Sequence, residues 1–154
     1  MGDFGEVMRK ILLILVSALL SMTGYAESPS KTYTPGLGEF MMTNQTHHDK
    51  LWFAGMNKNW ELADYELGEI EETLEYIVKY QPNFDKKPIA KLVPVYTTQP
   101  IEDLKSAIKA KNVEQFTKAY GELTSACTAC HQATGRAFIQ LQQPITPAYS
   151  NQKY

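Results

Sequence analysis

Cysteine is almost missing from this chain. Of its 154 residues only Cys127 and Cys130 are cysteines, and they stand three positions apart. A fold knitted by several disulfides is therefore excluded. Methionine is absent beyond Met56. Charge of one sign is not in surplus either: the formal net charge is −2, which lacks the electrostatic footprint of a nucleic-acid binder. No apolar run reaches the roughly 20 residues needed to cross a bilayer, and no window alternates with the period of two that marks a half-buried strand. A Ser-His-Asp set, a phosphate-binding glycine loop and a catalytic carboxylate pair are all lacking, so the sequence does not point to an enzyme. Internal repeats and low-complexity stretches are absent too.

What is present is ordinary globular material, 44% hydrophobic and 21% charged, of one-domain length. The first stretch differs. Arg9 and Lys10 precede the apolar run Ile11 to Val16, continued by Ala18, Leu19 and Leu20, and Gly24-Tyr25-Ala26 follows. A positive start, a short apolar centre and small residues before a cleavage point are the parts of a secretory signal peptide. Residues 1–26 are thus expected to be removed on export, leaving residues 27–154 as one domain with no membrane span, in the periplasm. An uncleaved anchor is the competing reading.

Apolar spacing predicts four helices. The first runs over 35–56, with Phe40, Asn44, His47, Leu51 and Ala54 on one stripe and Met41, Gln45, His48, Trp52 and Gly55 on the next. The second, 60–81, has the seam Trp60, Ala63, Leu67, Ile70, Leu74 and Ile77, with Glu61, Asp64, Glu66, Glu69, Glu71, Glu72 and Glu75 on its other faces. Prolines at 82, 88, 94 and 100 predict a long non-helical connection and a short third helix from Pro100 to about Lys111. Asn112 and Gln115 form a capping-box pattern at the start of a fourth, whose stripe Val113, Phe116, Tyr120, Leu123, Cys127 and Cys130 runs to about Thr134. Gly135 ends it, and the tail to Tyr154, with Pro144 and Pro147, reads as irregular. The expected fold is all-α: a four-helix bundle with a Pro-rich connection between helices two and three and an irregular C-terminal tail.

The pentapeptide Cys127-Thr128-Ala129-Cys130-His131 carries the chemistry. Two thiols three apart share a helix face and can add across the two vinyl groups of one porphyrin. His131 then stands where its imidazole can bind the iron, which is the spacing of c-type haem attachment. The rivals fit less well. A thioredoxin-like dithiol expects a βαβ context, and a zinc site has no fourth ligand nearby. Cys127 and Cys130 are the expected cofactor attachment points, and His131 the expected iron ligand.

A late Cys127-x-x-Cys130-His131 on the last helix of an exported four-helix chain resembles the cytochrome c′ and cytochrome c-556 class. The resemblance covers the whole architecture, with the pentapeptide its one specific motif, and it implies one covalent haem c held among four antiparallel helices. Two features depart from it. That class ends soon after the motif, whereas 23 residues follow His131 here, and Lys50-Leu51-Trp52-Phe53-Ala54-Gly55 with the Asn151-Gln152-Lys153 tail looks like a subgroup of exported cytochrome-like proteins.

The sixth iron ligand stays open among Met41, Met42, His47, His48 and none; the c-556 resemblance implies that a methionine ligand comes from the first helix or its following turn, and Met41 is preferred for the stripe it shares with His48 and Trp52. Arg136 is a candidate partner for a haem propionate. The expected function is electron transfer, with iron cycling between Fe(III) and Fe(II). An open iron would instead bind NO or CO, and without haem a dithiol oxidoreductase would remain. A redox protein is the expected partner, a second copy of the chain is another candidate, and nucleic acid is not expected.

Overall fold

Each helix begins and ends where the local residues satisfy its free backbone groups. In this computed structural model, which describes residues 33–154 together with Gly5, Glu6, Met8 and Arg9, four helices follow one another within the unit Thr34–Tyr154. Nearly all of the expected signal peptide lies outside the described residues. Helix α1 spans Leu37–Met56; it stops at Asn57, whose side-chain amide donates to the Phe53 carbonyl at 2.8 Å, and Lys58 at φ 60° turns the chain. Helix α2 spans Trp60–Tyr80, and its Asn59 cap accepts from the Leu62 amide. Helix α3 spans Ile89–Lys109, and helix α4 spans Val113–Ala133. The Asn112 side chain accepts from the Gln115 amide at 3.0 Å, as the capping pattern requires, and Gly135 at φ 80° breaks the chain away from α4.

The expected four-helix, all-α bundle is what the chain forms, and no strand occurs among the described residues. The third helix, however, is much longer than its prolines suggest. Pro94 and Pro100 lie inside α3, and the connection from α2 shrinks to residues 81–88. Each proline removes one amide bond, to Ala90 and Tyr96 respectively, at a cost of about 3 kcal/mol. The stripe Ile89, Val93, Thr97, Ile101, Leu104 and Ile108 is buried along the whole helix. Five apolar side chains at about 2 kcal/mol each outweigh two prolines. Burial wins.

The core contains the expected seams: Leu51 and Ala54 of α1, Ala63, Leu67 and Ile77 of α2, Leu104 of α3 and Phe116, Tyr120 and Leu123 of α4 are almost wholly inaccessible. Glu66 departs from the expectation of a solvated acidic face. It is 1% exposed, and its carboxylate meets His47 Nδ1 at 2.6 Å. Ala63, Glu66 and Ile70 are spaced by three and four residues, so Glu66 shares the buried stripe. No described helix is long and apolar enough to cross a membrane.

Helix α1 packs mainly on α2 and α4 on α3, while α1 and α4 touch least among the packed pairs. Their antiparallel seam is a wedge. At its tight end the buried Gly55 lies so close to Phe116 that a Cβ there would fall 2.2 Å from the ring. Trp52 lies 5.0 Å from the Tyr120 ring at the next level, and His48 bonds to Thr124 beyond that. Past His48 the helices are parted by a cavity.

Candidate functional site

The cavity holds about 650 Å³ and occupies the open end of the bundle. That volume is within the usual range for an organic cofactor or ligand, about 300–1,000 Å³. Its walls are largely apolar: Leu37 and Met41 from α1, Ile70 and Leu74 from α2, Ile89 and Val93 from α3, and Leu123 from α4. The chemical groups come from the last two turns of α4, where Cys127, Cys130 and His131 all line it. The helical stripe that buries Phe116, Tyr120 and Leu123 continues one turn further into Cys127 and Cys130.

Both thiols are free. Burial holds the Cys127 thiol in its neutral form, its pKa pushed up to about 12, and moves Cys130 in the same direction. Burial lowers the pKa of His131, the Ile139 carbonyl opposing and Arg136 adding to the effect, so the imidazole is neutral and able to bind a metal. His131 Nδ1 and Asn44 Oδ1, in residues that border the cavity, are buried and make no hydrogen bond among the protein groups.

Of the four candidates for a sixth ligand, Met41 is half-buried on the cavity wall. Met42 also borders the cavity but is 64% exposed. His47 is off the cavity wall, held by Glu66 at 2.6 Å and 3.8 Å from Glu69. His48 borders the cavity, yet both its ring nitrogens are engaged, Nδ1 with the Tyr120 hydroxyl at 2.9 Å and Nε2 with Thr124 Oγ1 at 3.0 Å. Burial brings its pKa down to about 4. The seam supplies the register. Met41 comes seven residues before His48 and His131 seven residues after Thr124, so the two stand level, about 10.5 Å beyond the His48–Thr124 bond.

The segment after α4 forms a strap that sequence pattern does not foretell. Arg136 donates to the Thr134 carbonyl, lies 3.8 Å from Asp85 and stacks over the Phe84 ring at 4.4 Å, on the cavity rim. Ile139, Leu141 and Pro144 then pass along the cavity, with the Leu141 amide donating to Thr128 Oγ1 inside the pentapeptide. Further on, the Ala148 amide donates to Asp49, the Tyr149 and Thr46 hydroxyls pair at 3.0 Å, and the Tyr154 ring packs on Phe53. The strap thus crosses from α4 to α1 over the open seam.

The site fits a porphyrin in volume, in its apolar walls and in a free thiol pair next to a neutral imidazole. It does not resemble a metal centre built from protein groups alone, since no cluster of three or more His, Cys, Asp or Glu suited to a metal ion occurs among the described residues. No family model, curated protein or solved structure matches the chain.

Proposed function

We propose that this protein is an exported monohaem c-type cytochrome that transfers electrons in the periplasm. The observation that carries the reading is the meeting of Cys127, Cys130, His131 and Met41 on the wall of one apolar cavity. Cys127 and Cys130 would hold the cofactor by thioether links, and His131 would ligate the iron. Met41, level with His131 across the seam, would ligate from α1. When bound, the haem supplies a one-electron Fe(III)/Fe(II) couple whose potential follows its axial ligands and its exclusion from water. The chain's own residues do the rest. The α1–α4 wedge sets the spacing of the two ligands, the strap keeps water from the α1–α4 side, and Arg136 at the rim offers a cation to a carboxylate.

A dithiol oxidoreductase is less well supported, because burial raises both thiol pKa values while that chemistry needs an accessible thiolate. The test is mass spectrometry and a visible spectrum of full-length protein made in a host with haem-ligation machinery. A mass gain of one haem with a sharp reduced α band indifferent to carbon monoxide is expected. No mass gain refutes the cytochrome reading, and a high-spin spectrum that shifts with carbon monoxide replaces the electron carrier by a gas-binding protein.

A further inference from the structure

We propose that His48 is a positioning residue: with Tyr120 and Thr124 it forms a clasp that fixes how far α1 stands from α4 where Met41 faces His131. The inference rests on the haem reading above and goes beyond it, because it assigns a role to a histidine that the sequence offers as a rival ligand.

The proton accounting shows how the clasp closes. Tyr120 places its hydroxyl 2.9 Å from both His48 Nδ1 and the His48 carbonyl. Thr124 places its hydroxyl 3.0 Å from His48 Nε2 and 2.8 Å from the Tyr120 carbonyl. A neutral ring with its proton on Nε2 accounts for all four contacts. Nε2–H donates to Thr124, Thr124 donates to the Tyr120 carbonyl, and the Tyr120 hydroxyl donates to Nδ1, shared with the His48 carbonyl. In this arrangement the ring is neutral, with its one proton on Nε2. Its burial, at 7% exposure, favours that form.

Rigidity follows from packing. The Tyr120 ring lies 4.5 Å from the His48 ring and 5.0 Å from Trp52, and it is wholly inaccessible. The three residues therefore form the last fixed level before the wedge opens. Two helical turns separate it from Met41 on one side and from His131 on the other. A small rotation about the clasp becomes a larger displacement at the open end, where the cavity stands between α1 and α4.

The experiment compares the haem-loaded wild type with His48→Phe, which keeps an aromatic ring and removes both nitrogens. Haem mass gain is recorded first, then far-UV circular dichroism, then the reduced spectrum with and without carbon monoxide. His48→Phe is expected to keep the mass gain and the helix signal, while its carbon-monoxide-reactive fraction rises about tenfold, as the loss of buried hydrogen bonds implies. An unchanged carbon monoxide response in His48→Phe overturns the proposal. So does a wild type that is already fully reactive, since no Met41 bond is then being positioned. If the variant loses its helix signal, Tyr120→Phe, which keeps the ring packing, is judged by the same two criteria. A wild type without the mass gain instead brings down the cytochrome reading, and the proposal with it.

Discussion

Replacing Gly55 by Ala should destabilise the protein, although the same change elsewhere on these helices should stabilise it. On an exposed helical surface Gly→Ala adds about 0.4–1 kcal/mol of stability, because alanine loses less backbone freedom on folding. Gly68 and Gly121 are exposed and have nothing within 4 Å of an added Cβ. At Gly55 the new atom would fall 2.2 Å from Phe116 Cε1 and Cζ. Phe116 has little room to retreat: its ring is wholly inaccessible and packs 6.3 Å from Trp52, 6.0 Å from Trp60 and 6.1 Å from Tyr120. Overpacking of this kind costs about 1–3 kcal/mol, so the net effect is a loss of about 1–2 kcal/mol. Thermal unfolding followed by circular dichroism should show Gly55→Ala melting about 4–8 °C lower, at about 4 °C per kcal/mol for a domain of this size. Gly68→Ala should melt slightly higher. Shortening the partner in Gly55→Ala/Phe116→Leu should recover part of the loss, which a double-mutant cycle reads as coupling. If Gly55→Ala raises the melting temperature as Gly68→Ala does, the close approach of α1 and α4 at this end is wrong. The wedge built on it falls as well.

Pro94→Ala should stabilise by about 1–2 kcal/mol in urea unfolding, since it restores an amide bond to Ala90 at an exposed position; a loss of stability would mean that the proline is built into the packing of α3. His47→Ala should cost about 3 kcal/mol by leaving the buried Glu66 carboxylate without its partner, and an effect below 1 kcal/mol would place Glu66 in contact with water. His48, with its folded pKa near 4 against an ordinary 6.5, binds its proton more readily when unfolded. Stability should be complete above pH 6.5 and fall by about 3 kcal/mol on acidification to pH 4, and His48→Gln should flatten that slope. Met41→Ala in haem-loaded protein should convert a low-spin spectrum to high-spin, and an unaltered spectrum would remove Met41 from the iron.

The helix count, the seams of α2 and α4 and the Asn112 cap were legible because each rests on local periodicity or on one side chain meeting a nearby amide. The extent of α3 was not. The stripe from Ile89 to Ile108 is regular, but proline at 94 and 100 signals a break locally, and only the tertiary burial of that stripe overrides it. Glu66 misleads in the same way, since its acidity suggests water while its partner His47 comes from another helix. Cys127, Cys130 and His131 could be singled out as a spacing motif. The register of α1 on α4, which brings Met41 level with His131, depends on contacts more than 70 residues apart in sequence, such as Tyr120 with His48. The strap had no periodic signal at all, because it is held by isolated polar bonds and single ring contacts.

The strap also bears on the order of assembly. It crosses from Thr128 to Thr46 and Asp49 over the seam where the two outer helices part, so it closes the route by which a large planar molecule would slide between them. Entry by this route would have to precede the bonds of the segment to Thr46 and Asp49, which it would otherwise break.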